Sequence, residues 1–106
     1  MNEFEKQAEI LTKLAQLMLD QVNGPYESIT CEYEFVERYG KVSSTFSIVL
    51  GGLQTYPDTA PGFATENLEL CLKLRGLMRG HTGGEWTSFT LSFDASGKAK
   101  TKFNYS

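Results

Sequence analysis

Glu32 and Glu34 stand two residues apart in "ESITCEYEFVE", and His81, the only histidine, follows in a glycine-flanked loop. Two carboxylates and a histidine are the raw material of a small hydrolase or nuclease, the acids working on water and the imidazole carrying a proton. The rest of such a site is missing. A catalytic or metal-bound histidine needs partners at a usable spacing, and none stands near His81, so it reads as a solvated loop residue. No GxSxG, HExxH, Walker or GxGxxG pattern occurs, and Gly51-Gly52 and Gly83-Gly84 read as turn residues. Cys31 and Cys71 lie far apart, each on a row of apolar residues, which is the setting of buried reduced thiols rather than a CxxC redox pair or zinc knuckle. Lys98, Lys100 and Lys102 alternate as edge-protecting lysines do. Three lysines are too few for a nucleic-acid groove in an acidic protein. No catalytic residue, cofactor or metal is expected.

The chain has 106 residues, 41% apolar and 22% charged, with a net charge of −3. That is one domain, residues 1–106, with room for a real core. The acid is uneven: residues 1–58 hold nine of the thirteen Asp/Glu against four Lys/Arg. Such a balance disfavours nucleic acid or an anionic membrane as direct partner and suits a basic protein. The opening "MNEFEKQAEI" has neither the basic nor the apolar region of a secretory signal. No apolar run approaches the ~20 residues that span a bilayer. A cytoplasmic location is expected.

Around the candidate residues the periodicity is clear. Phe4, Ala8, Leu11, Leu14, Ala15, Met18 and Val22 recur at helical spacing, predicting an amphipathic helix over 2–22 that stops at Asn23-Gly24-Pro25. Then Ile29, Cys31, Tyr33 and Phe35 alternate with Ser28, Thr30, Glu32 and Glu34. After a turn at Arg38-Tyr39-Gly40, Val42, Phe46, Ile48 and Leu50 alternate with Ser43, Thr45 and Ser47. Two such runs form a hairpin. A short edge strand is expected at 53–56. A second helix is expected over 63–79, with Leu70, Cys71, Leu74, Leu77 and Met78 on its apolar face and Gly80 ending it. Two closing strands meet at a turn with Asp94 first and Gly97 fourth. The predicted class is α+β: an antiparallel sheet of four to five strands with two helices on one face, in the order α-β-β-(β)-α-β-β.

The other face of that sheet is open to water, and it carries Glu32 and Glu34, Thr45, Ser88 and the lysines. In "WTSFTLSFD", Phe89, Leu91 and Phe93 point inward, and a period of two puts Trp86 outward with Ser88 and Thr90. Trp86 is then either an interface anchor, as tryptophan often is, or a lid folded back over a neighbouring element. The lid is the preferred reading; the candidate toxin-contact residues are Glu32, Glu34, Thr45 and Ser88 on the neighbouring face, with Trp86 as the fifth.

The segment "WTSFTLSFDASGKAKTKFNYS" resembles the end of the YezG-type immunity proteins of bacterial polymorphic toxin and contact-dependent inhibition systems. The residues carrying the resemblance are Trp86, Thr87, Thr90, Leu91, Ser96, Gly97, Phe103, Asn104 and Tyr105. Size, the opening helix and the order of elements are also similar. The resemblance implies an antitoxin that binds the toxic domain of a secreted effector, often a nuclease, and blocks it without chemistry of its own, acting as a monomer when free. A basic nuclease cleft and an acidic inhibitor attract each other. The alternative from another class is a small acidic secretion chaperone, which would dimerise through an apolar helix or strand.

Overall fold

Asn2 starts the first helix by taking up one of its unpaired N–H groups: its Oδ1 accepts from the Glu5 N–H at 2.8 Å. In this computed structural model, which describes residues 2–81 and 86–105, the helix is α1 (Glu3–Asp20). It ends two residues earlier than its periodicity reaches, because the Gln21 N–H already bonds back to Leu19 and Met18. There follow β1 (Ser28–Val36), a 3-10 turn (Glu37–Tyr39), β2 (Lys41–Leu50), β3 (Leu53–Thr55), α2 (Phe63–His81), β4 (Trp86–Asp94) and β5 (Ala99–Tyr105). The second helix runs through Gly80 instead of stopping there, since a glycine weakens a helix without forbidding it. The class is α+β, with a five-stranded antiparallel sheet in the spatial order β3-β2-β1-β4-β5.

Two turns fix the strand register. Gly51 and Gly52 both have positive φ (62° and 75°), the backbone of a two-residue type I′ hairpin, and they join β2 to β3. At the other end the Gly97 N–H returns to Asp94 O at 2.9 Å. The Asp94 carboxylate accepts from the Ser96 hydroxyl and the Ser96 and Lys98 N–H groups. Those bonds, led by the Ser96 hydroxyl, hold its pKa below the usual carboxylate value.

Both helices cover one face of the sheet. Ile10, Leu14 and Met18 of α1 and Cys71, Leu74 and Met78 of α2 form a single core with Ile29, Cys31, Tyr33, Val42, Phe89, Leu91 and Phe93. A row of aromatic rings runs across three strands of this core. Tyr33 stacks on Phe89 (centroids 4.5 Å apart, 8° between planes) and Phe89 on Phe103 (5.0 Å, 18°).

Several expectations are corrected. Leu50, expected inward, is half exposed at the end of β2 beyond the reach of the core. Ser47 does point to the open face, yet it is buried, because Gln54 lies over it and donates from Nε2 to its Oγ at 3.2 Å. The largest correction is Trp86. It is fully buried, not on the outward polar row. Trp86 pairs with Tyr105 and Ser88 with Asn104, so Thr87 is an extra residue on β4, a bulge that reverses the alternation and turns the indole inward.

Candidate functional site

The sheet face away from the helices gathers four of the expected contact residues and excludes the fifth. Register places them in rows. Thr45, Glu32, Thr90 and Lys102 stand side by side across β2, β1, β4 and β5, and Ser43, Glu34, Ser88 and Asn104 form the next row. Twist makes this surface concave, a trough of about 460 Å³ lined by Glu32, Glu34, Ser43, Thr45, Ser88, Thr90 and Asn104 among others. Trp86 is not part of it.

The trough is rich in acceptors. Glu32 and Glu34 are exposed and project from the same side of β1, about 6–7 Å apart along the strand. Serine and threonine hydroxyls surround them. Asn104 donates from Nδ2 to Ser88 Oγ at 3.1 Å, and Thr87 Oγ1 donates to the Asn104 carbonyl at 3.3 Å, which pins the trough wall to the bulge. The lysines do not neutralise the carboxylates at contact distance. Lys102 shares a row with Glu32 across β4, two interstrand steps or about 10 Å at the backbone, and among the described residues no ion pair joins the two. Two carboxylates among small hydroxyls suit side chains that bring several N–H donors, namely lysine and arginine.

Among the described residues no group of three or more His, Cys, Asp and Glu is placed to hold a metal ion. The side chain of His81 and the Gly83-Gly84 pair lie outside the described residues. Nor, among the described residues, is any helix long and apolar enough to cross a membrane.

Beneath the sheet, two buried polar residues of α2 were missed. Asn67 accepts at Oδ1 from the Tyr33 hydroxyl at 2.6 Å and approaches Cys31 Sγ with Nδ2 at 3.7 Å. Arg75 donates from Nε to the Trp86 carbonyl at 3.1 Å, and its guanidinium lies 3.5 Å from the Phe35 ring centre and 5.7 Å from that of Trp86. Asn67, Cys71 and Arg75 are spaced by four, the interval of one helix face. That spacing was a signal, and their polarity masked it. Both anchor the underside of the strands that form the trough.

Cys31 and Cys71 are buried and unbridged, and burial is the main cause that pushes both thiols upward in pKa. Thiols held protonated in this way are poor nucleophiles.

The residues of the closing segment from Trp86 serve the hairpin. Trp86 and Leu91 are buried, Phe103 packs on Phe89, Thr87 and Asn104 bond to each other, and Ser96 and Gly97 build the turn. The side chain of Tyr105 lies outside the described residues. No family model matches the chain, and no curated protein is significantly similar to it.

Proposed function

We propose that this chain is an immunity protein that binds and neutralises a toxin domain, a basic nuclease, through its open sheet face. The observation that carries the reading is the acceptor-rich trough holding Glu32 and Glu34 with no cationic side chain in their own or the adjacent strand position. A nuclease must hold phosphate, so its active cleft displays lysine and arginine. Those groups meet in this trough the carboxylates and hydroxyls that can replace phosphate oxygens. The resemblance of the Trp86–Ser106 segment to immunity proteins supplies the toxin class, and the acidic bias of residues 1–58 adds long-range attraction.

The inhibitor acts by occupancy. Serines and threonines that cost little side-chain entropy to order provide a floor against which a basic surface can be desolvated. Co-expression with its cognate toxin domain should restore growth, and the purified pair should elute as one complex. Nuclease or hydrolase activity of the chain alone, lost on Glu32→Gln, would overturn the proposal.

A further inference from the structure

The two edges of the sheet are treated differently. At one, β5 carries Lys100 and Lys102, with Lys98 just before it, and such lysines discourage another strand from pairing. At the other, β3 covers only part of β2, pairing with Ile48, Val49 and Leu50. The stretch 41–47 of β2 remains a sheet edge, with one charge at its start, Lys41, and no proline. Beyond Lys41, residues 42–47 carry neither a charge nor a proline to blunt the edge.

The direction of its hydrogen-bonding groups follows from the Gly51-Gly52 turn. In a two-residue hairpin the flanking residues, Leu50 and Leu53, exchange hydrogen bonds, so even-numbered residues of β2 direct N–H and C=O away from β1. The bond from the Glu27 N–H to the Val49 carbonyl, 2.7 Å on the β1 side, agrees with this, as does the Thr55 hydroxyl approaching the Ile48 carbonyl on the β3 side. Val42, Ser44 and Phe46 therefore aim their main-chain donors and acceptors off the sheet. Among the described residues no backbone hydrogen bond outside the sheet ladder reaches them.

The side chains next to this edge define what fits. Ser43 and Thr45 project to the open face, and directly across from them on β1 stand Glu34 and Glu32. A lysine or arginine on an added strand can lie over those short hydroxyl side chains and meet a carboxylate. The backbone separation, two interstrand steps or about 10 Å, equals that from Glu32 to Lys102 on the other side and is the limit of the combined reach of the two side chains. On the opposite side the added strand meets Val42 and the Phe46–Phe63 contact, whose rings are 5.5 Å apart. That side is apolar.

We propose that the β2 edge takes an extended segment of a partner protein, alternating cationic and apolar residues, as a sixth strand of the sheet. This rests on the reading of the open face as a site for a basic protein. A second copy of this chain is disfavoured there, since residues 42–47 of β2 carry no lysine or arginine to meet Glu32 and Glu34.

The test uses a capped hexapeptide of alternating lysine and valine, and a counterpart with glutamate in place of lysine. Amide exchange of the parent protein should show Ser44 and Phe46 slowed by about tenfold or more on addition of the lysine peptide, while Ser43 and Thr45, already bonded to β1, stay unchanged. The glutamate peptide should bind at least about tenfold more weakly. Ser44→Pro removes an N–H that β1 does not use and should abolish binding. Should that variant fail to fold, the odd-even exchange pattern of the parent decides. Binding retained by a folded Ser44→Pro, equal binding of both peptides, protection along β5, or a dimer of the chain in sedimentation each overturns the proposal. The experiment needs no toxin, so its failure leaves the neutralisation test standing, and the converse holds as well.

Discussion

Trp86 and Phe89, three residues apart on one strand, meet edge to face with ring centroids 5.1 Å apart and planes at 65°. In a regular strand residues at that separation point to opposite faces. The bulge at Thr87 brings them together, and the indole then closes the end of the core against Phe103 and the Arg75 guanidinium.

Replacing Trp86 by alanine should therefore cost stability, not affinity. Truncating a fully buried large aromatic typically costs about 3–5 kcal/mol, and here Arg75 also loses the indole beside its guanidinium. Urea denaturation should show a lower midpoint with an unchanged slope. Affinity for the toxin, corrected for the folded fraction, should stay within about twofold, because a hot-spot loss would be far larger. A denaturation midpoint equal to the parent's would show that the indole is not the lid.

Thr87 offers a sharper test of the bulge itself. Without it, Trp86 and Ser88 become consecutive and still face Tyr105 and Asn104, so a regular ladder carries Trp86 and Phe89 on the same side. Deletion of Thr87 should thus leave a cooperative, folded protein. Deletion of Thr90 should unfold it, because a one-residue slip in the paired stretch sends Phe89 to the wrong face. Comparable melting curves for the two deletions would contradict this account.

The strand pairs, the two helices and the open face were legible because each depends on local periodicity. The hydroxyl-carboxylate row alternates cleanly along β1 from Ser28 to Phe35 and is broken in β2 only by Ser44 on the inward row and Val49 on the outward one, so Glu32, Glu34 and Thr45 were placed correctly from sequence. Ser88 was placed correctly and Trp86 was not, since nothing in "WTS" marks an extra residue; the bulge is seen only when β5 pairs across it. Asn67 and Arg75 were hidden for a related reason. Polar residues on a buried stripe make sense only once Tyr33 and the Trp86 carbonyl are found opposite them, and those contacts span 34 and 11 residues of chain.

Alkaline pH should weaken the fold. Burial raises the pKa of Cys31, Cys71 and Tyr33, so the folded protein keeps protons that the unfolded chain releases near pH 8.5 for thiols and 10 for tyrosine. Fewer protons in the unfolded state means that unfolding free energy falls as pH rises. The contribution of these groups is complete below about pH 8 and declines above it, by up to about 1.4 kcal/mol per pH unit for each group past its unfolded pKa. Denaturation midpoints at pH 8, 9 and 10 should decline in order, and Cys71→Ala should make the decline shallower. A level series would refute the argument.

Charge at Glu32 and Glu34 should act mainly on the rate of encounter. Both are exposed and face the same trough, so under the proposed function they attract a basic toxin before contact, and their field is screened over roughly 10 Å at 0.1 M salt. Glu32→Gln with Glu34→Gln should slow association by about tenfold at low salt and speed dissociation much less. The same pair of changes at Glu66 and Glu69, exposed on α2 in the helix layer, removes equal charge from the other side of the protein. That control should leave association nearly unchanged. Stopped-flow measurements between about 50 and 300 mM salt should converge for parent and variant as screening grows. If the α2 control slows association as much as the β1 variant does, the attraction is a property of net charge and the trough is not where the toxin is steered.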